Sequence, residues 1–203
     1  MTQHLPVPLQ QAWARFSSLL AEHAPADHAA LRPPAPPEEI TALEAEFGFP
    51  LHPELSALLR MHNGVSGVAG DFLPLRHRLS STSEIGQMHR MLVGLGWHDD
   101  PDSPWDEDYL NGHPHQWVPF ALPNDGGVAF VDHRPGPTYG QVYEMGIGSG
   151  ASEATLWASS LGDLFIRLAD ALDGIAPFLY YQPQINAQTA DGPLLSWDIV
   201  TSR

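Results

Sequence analysis

Apolar residues recur at helical spacing in five segments of the chain. In the first, predicted to be a helix over residues 8–23, the stripe consists of Leu9, Trp13, Phe16 and Leu20. The same spacing predicts helices over residues 38–47, 53–62 and 161–172, and another from the caps at residues 80–83 to Gly94. Each of these stripes indicates a helix that buries one face.

The spacing changes to that of strands in the middle of the chain. Short β-rich runs at residues 117–121, 128–131 and 141–143 are separated by a turn at residues 124–127 and by a Pro/Gly loop. One more strand is predicted at residues 155–158. Helices first, strands next and a helix after them predict an α+β fold, with a central antiparallel sheet (a meander) and a C-terminal helix packed on it.

The connections carry their own predictions. We interpret residues 25–37, rich in proline and alanine, as an extended linker, and residues 71–75 as a short strand or an extended link. Asn63 and Gly64 follow the third helix and are predicted to form its left-handed cap. We expect a single domain over residues 1–203 with its core at about 13–172. The extension at 173–203, apolar in patches, is expected to pack on that domain.

Composition excludes several classes of protein. With 43% apolar and 16% charged residues, the chain is typical of a globular domain, and no apolar run reaches the ~18 residues of a membrane span. The N-terminus lacks the pattern of a signal peptide, so we expect a cytoplasmic protein. The absence of cysteine and lysine excludes disulfides, thiolate zinc sites, Schiff-base lysines and the lysine-bearing phosphate loop.

Acidity points to the kind of partner. A net charge of −15 disfavours binding to nucleic acid and favours a basic protein partner. The acids concentrate in an insert at residues 97–115, where tryptophans lie between them. We predict partner binding by Trp97, Asp99, Asp100, Asp102, Trp105, Asp106, Glu107 and Asp108. An ordinary solvated loop is the alternative reading.

Catalytic motifs fail on spacing or context. Gly146, Gly148 and Ala151 match the dinucleotide fingerprint but lack its parallel-strand setting. A calcium loop that starts at Asp106 has Leu110 at a ligand position, and no metal-binding or serine-nucleophile motif is present. We therefore predict no catalytic residue, metal or cofactor. The alternative hypothesis is a metal-dependent hydrolase that uses Asp132, His133 and Glu144, with the two carboxylates near one another on adjacent strands, or that uses the acidic insert with a metal.

Taken together, several motifs resemble the Smi/Knr family of the SUKH superfamily. They occur in the family's order: Glu39-Ile40, Leu43-Glu44, Phe49-Pro50-Leu51, Pro53-Glu54-Leu55, Leu58-Leu59, His62-Asn63-Gly64, Trp117-Val118-Pro119-Phe120, Gly126-Gly127, Asp132 and the helix start at residues 158–164. The resemblance covers roughly residues 13–172. This chain departs from the family pattern in the length of its acidic insert, and its tail after Ile175 has no counterpart there.

The resemblance implies an α+β domain that binds other proteins. In bacteria such domains are typically immunity proteins that neutralise a toxin, often a nuclease, and in fungi they are regulators tied to cell-wall synthesis and signalling. It also implies structural roles for Pro50, Leu51, Asn63, Gly64, Trp117, Phe120, Gly126, Gly127 and Asp132, where the Gly126-Gly127 pair permits positive φ. An immunity protein against a basic toxin is the favoured hypothesis, and a regulatory scaffold is the alternative.

Overall fold

The computed structural model describes residues 8–67, 69–94, 114–123, 126–146, 154–187 and 192–200. The helices in these ranges are α1 (Leu9–His23), α2 (Pro25–Ala29), α3 (Pro37–Phe47), α4 (Pro53–Met61), α5 (Thr82–Gly94) and α6 (Leu161–Leu172). The strands are β1 (Arg78–Leu79), β2 (Trp117–Leu122), β3 (Val128–Asp132), β4 (Val142–Met145), β5 (Thr155–Ala158), β6 (Tyr181–Asn186) and β7 (Leu194–Ile199). This confirms the predicted α+β fold.

The central sheet follows chain order, β1-β2-β3-β4-β5, and every pair is antiparallel. The predicted meander and the additional strand at residues 155–158 are therefore confirmed. Strand β2 carries a bulge between Pro119 and Ala121, which lets a proline without an N–H sit in a central strand. Strand β1 was not predicted, because its two residues are too short to show a period.

Both faces of the sheet are covered. Val118, Phe120 and Val131 belong to the main core, which they share with α1 and α6. On the opposite face Trp117 and Phe130 pack with Leu92 of α5 in a second core. The rings of Trp117 and Phe130 stack at 5.0 Å between centroids. Burial on both sides explains why these strands are continuously apolar instead of alternating.

Helices α1 and α6 pack directly against each other. The ring of Phe165 lies 4.8 Å from Trp13 and 5.4 Å from Phe16, centroid to centroid. Ser160 caps α6 by accepting a hydrogen bond from the backbone N–H of Asp163. The predicted bounds of α6 and the apolar stripe of α1 are both confirmed.

The linker predicted at residues 25–37 is wrong in its first half, because residues 25–29 form α2. Pro25 occupies the first helical position, where its missing N–H costs nothing. The carboxylate of Asp27 is buried and accepts two backbone hydrogen bonds, from the N–H of Gly70 at 2.8 Å and of Leu195 at 2.7 Å. This side chain therefore connects α2 to a loop and to strand β7.

The segment predicted as a strand or link at residues 71–75 ends in a single 3-10 turn, Pro74–Arg76. After α6 the chain forms a hairpin in which β6 pairs with β7. Phe178 and Leu195 enter the main core, and the indole N–H of Trp197 donates to the carbonyl of Phe72 at 2.8 Å. These contacts hold the hairpin against the rest of the chain.

Candidate functional site

The predicted partner-binding residues lie outside the described residues. This applies to the whole set in the acidic insert: Trp97, Asp99, Asp100, Asp102, Trp105, Asp106, Glu107 and Asp108. Their role stays a prediction. The residues that the resemblance marks as structural do lie in the described ranges, and they form three groups.

The first group surrounds Asp132 at the end of β3. Its carboxylate is fully buried and pairs with the equally buried guanidinium of Arg134, with Oδ2 at 2.7 Å from Nη2. The Arg134 Nε lies 3.0 Å from both carboxylate oxygens, and the Arg134 backbone N–H donates to Oδ1 at 2.9 Å. The contacts of Asp132 thus hold the strand end and the loop that follows it in place.

His133, the next residue, is held in one neutral form. Its Nδ1 donates to the carbonyl of Val131 and its Nε2 accepts from the backbone N–H of His52, both at 2.8 Å. Burial lowers the pKa of His133 to about 4, against its usual 6.5. The His52 ring in turn accepts from the N–H of Glu54 and caps α4. This histidine pair joins β3 to the start of α4.

Glu144 does not complete a catalytic set with Asp132 and His133. The register pairs Ala129 with Glu144, and Asp132 lies three residues further along β3. At ~3.3 Å per residue this puts Asp132 and Glu144 about 10 Å apart along the sheet. The two carboxylates therefore lie at opposite ends of the strand pair, and the interpretation that placed them near one another is wrong.

The second group centres on Asn63 and joins three helices. Its Nδ2 donates to Glu39 of α3 at 3.0 Å, and its Oδ1 accepts from the backbone N–H of Thr82, at the start of α5, at 2.8 Å. The Thr82 hydroxyl donates to the same Glu39 carboxylate. Asn63 therefore fixes how α3, α4 and α5 meet.

The predicted helix cap at Asn63 and Gly64 is wrong. Helix α4 ends at Met61, and its cap residue His62 is extended. Gly64 has a φ of +73°, and a Cβ there would lie 2.5 Å from the backbone nitrogen of Ser81. The glycine is needed because two backbone segments touch at this point.

The third group contains the remaining marked residues, which shape turns and fill cores. Leu51 is buried and Pro50 is exposed beside it. Trp117 and Phe120 lie in opposite cores of the sheet, as their predicted structural role requires. Of the Gly126-Gly127 pair, Gly126 has a positive φ of 88° and Gly127 does not. A Cβ on Gly127 would lie 3.3 Å from the Met145 carbonyl oxygen, and close packing explains this glycine instead.

Sequence reasoning missed a groove between the C-terminal hairpin and the central sheet. This groove, here called the hairpin groove, has a volume of about 740 Å³. Its lining includes Leu75, Glu144, Tyr181, Trp197 and Ile199. The alternation of apolar residues at 195, 197 and 199 was the available signal for the strand that forms one wall.

Charge and strain are both present at the hairpin groove. Burial raises the pKa of Glu144, and burial followed by contact with Tyr180 raises that of Tyr181. Leu75 and Arg76 have φ of 56° and 57°, in the left-handed region that residues other than glycine rarely adopt. Such strained positions cluster at functional sites, so the groove is a candidate binding site.

Two further searches cover the described residues only. No three histidine, aspartate or glutamate side chains in the described ranges come together as metal ligands. None of the described helices is both long enough and apolar enough to cross a membrane.

Comparison with known proteins identifies the fold family. The family model described as SMI1 / KNR4 family (SUKH-1) matches residues 34–167. The match confirms the resemblance drawn from the motifs between Glu39 and Leu164. No curated protein matches the chain.

Proposed function

The chain belongs to the SMI1 / KNR4 family (SUKH-1), and from this premise we propose that it is a non-catalytic, protein-binding immunity protein. Its partner is a basic toxin of the nuclease type, which it neutralises in the cytoplasm. The observation that carries the proposal is the combination of the family match with a net charge of −15. An acidic surface raises the encounter rate with a basic protein and orients the two before contact.

The state of the strand-end residues supports binding over catalysis. A hydrolase would need a carboxylate and a histidine free to act on a substrate. Asp132 is instead engaged with Arg134, and His133 uses both ring nitrogens on backbone groups. Glu144 lies at the other end of the strands, so these three residues do not form the joint site that a hydrolase would need.

Co-purification tests the proposal directly. The chain is expressed with the product of the adjacent gene, and binding is measured at about 0.05 M and about 0.5 M salt, which spans strong and weak screening. We expect a complex whose association rate falls steeply with salt while its dissociation rate changes little. The toxin's activity should fall as the chain is titrated in.

Failure to bind any toxin encoded nearby would contradict the proposal. A complex with a partner of cell-wall synthesis or signalling, and no loss of nuclease activity, would support the regulatory scaffold in its place. A second acidic protein of similar charge is the control, because it shows how much of the salt effect is unspecific.

A further inference from the structure

The hairpin groove contains a carboxylate without a matching cation. Glu144 is half-buried on β4, and burial is the only cause of its raised pKa. No arginine in the described ranges forms an ion pair with it. A carboxylate partly removed from water is costly until a positive group or several donors approach it. Glu144 therefore gains more from an incoming cation than a fully solvated acid does.

The walls of the groove suit one kind of cation. Trp197, which is half-buried, supplies aromatic surface, on which a planar guanidinium stacks better than an ammonium group does, and the buried ring of Tyr181 lies behind it in the lining. Asp198 adds a second, exposed carboxylate to the lining. Arginine combines a flat, forked donor with an apolar stem, and this matches a site of carboxylates and rings.

The rim is apolar and open to solvent. Ile199 is 62% exposed and Leu75 is 40% exposed. Arg76 also lines the groove, with a side chain that is 73% exposed and a guanidinium that lies 3.2 Å from the carboxylate of Asp71. A partner residue next to the inserted cation therefore meets apolar surface, which stabilises contact without selecting charge.

We propose that the hairpin groove binds an arginine side chain of the partner protein, with the guanidinium at Glu144 and the flanking residues of the partner on Leu75 and Ile199. The inference rests on the proposed function for the basic character of the partner. Tyr181, Trp197, Asp198 and Ile199 lie outside the part of the chain that the family model matches, so the C-terminal extension supplies one wall of the groove and the matched part supplies the rest.

The test uses N-acetyl-arginine amide as the probe, followed in amide proton–nitrogen spectra of the full chain. We expect shifts at Gly126, Gly127, Trp197 and Ile199, with a dissociation constant on the order of a few mM. Glu144→Gln should weaken this binding at least about tenfold, because a charge-assisted hydrogen bond is lost. Thermal unfolding checks that the variant is folded.

Glu38→Gln is the matched control. It makes the same change of charge at an exposed residue of α3, a helix that contributes nothing to the groove lining. We expect the control to bind the probe like the wild type. N-acetyl-citrulline amide, which has a similar shape without the charge, should bind at least about tenfold more weakly than the arginine probe.

Several results would overturn the proposal: no shifts with the arginine probe, shifts elsewhere on the chain, equal binding of citrulline, or no effect of Glu144→Gln. Equal binding of N-acetyl-lysine amide would overturn the choice of arginine. If a toxin binds but Glu144→Gln leaves its affinity unchanged, the proposed role of the groove is contradicted and the proposed function is not. If the probe binds at the groove but no toxin binds, the proposed function is contradicted and arginine binding at the groove is not.

Discussion

The imidazole of His133 accepts a hydrogen bond from the backbone N–H of His52, 81 positions earlier in the chain. Its other nitrogen donates to the carbonyl of Val131. The bond from His52 needs the neutral ring, because a proton on Nε2 would face the N–H of His52, whereas the bond to Val131 forms in either protonation state. The end of β3 and the start of α4 are therefore joined by a contact that depends on pH.

We expect acid to remove the stabilisation that this contact supplies. The unfolded chain takes up a proton on His133 below pH 6.5, whereas in the fold burial lowers the pKa to about 4. The stabilisation is thus complete above pH 6.5, and roughly 3 kcal/mol of it is lost as the pH falls to about 4. Urea titrations between about pH 7 and about pH 4.5 should show a flatter profile for His133→Asn than for the wild type.

The matched control for that experiment is His28→Asn, which changes a half-buried histidine of α2. Identical pH profiles for the wild type and His133→Asn would mean that His133 titrates normally in the fold.

Gly64→Ala should be much more destabilising than Gly48→Ala. Both glycines have positive φ, 73° and 79°, so the backbone strain is similar. A methyl group at Gly64 meets the backbone of Ser81 at 2.5 Å, whereas at Gly48 nothing lies within 4 Å. We expect losses in the free energy of unfolding of about 3 kcal/mol and about 1 kcal/mol respectively. Equal losses in urea titrations would show that only φ matters at Gly64.

Asp27→Asn is expected to lower the free energy of unfolding by about 3 kcal/mol and to loosen the hairpin. An amide accepts through only one oxygen, so one of the two buried N–H groups, on Gly70 or Leu195, loses its partner. Hydrogen exchange at Leu195 should accelerate along with the loss of stability. Asp173→Asn, at a half-exposed ion pair with Arg15, is the control and should change stability by less than about 1 kcal/mol. Protection of Leu195 that survives in Asp27→Asn would refute this role.

Arg134→Leu should cost about 3–5 kcal/mol, because it leaves the carboxylate of Asp132 buried without its charge partner. The double variant Asp132→Asn/Arg134→Leu should be more stable than Arg134→Leu alone, since the amide is uncharged and still accepts from the backbone N–H of residue 134. Arg90→Leu, which breaks an exposed ion pair with Glu46, is the control. It shows how much the free energy of unfolding falls when a surface ion pair is lost. Thermal and urea unfolding measure all three, and a double variant less stable than the single one would contradict the argument.

The long elements were predictable because their apolar residues repeat at one period. The stripe of α1 and the cap and stripe of α6 identify those helices without tertiary information. Strands β2 and β3 were recognisable as apolar β-rich runs around a turn. In each case the local pattern and the tertiary environment require the same conformation.

The elements that were missed depend on contacts distant in sequence. Helix α2 has only five residues, too few for a period, and its Asp27 has partners at Gly70 and Leu195. Gly64 follows a helix and resembles a helix cap in sequence. A glycine is needed there because the backbone of Ser81 lies too close for a side chain. The hairpin groove combines residues 75, 144 and 199, and no local signal connects positions so far apart.

The contact between α1 and α6 also has a consequence for synthesis on the ribosome. Arg15 of α1 pairs with Asp170, 155 positions later, and Asp27 meets Leu195 after 168 positions. At roughly 5–20 residues per second, α1 waits on the order of ten seconds for the residues that cover it. During that interval Trp13 and Phe16 can already pack on His62 and Phe72, whereas their contacts with Phe165 are still missing. Helix α1 therefore keeps part of its apolar face uncovered until α6 has been made, an interval in which a chaperone can bind it.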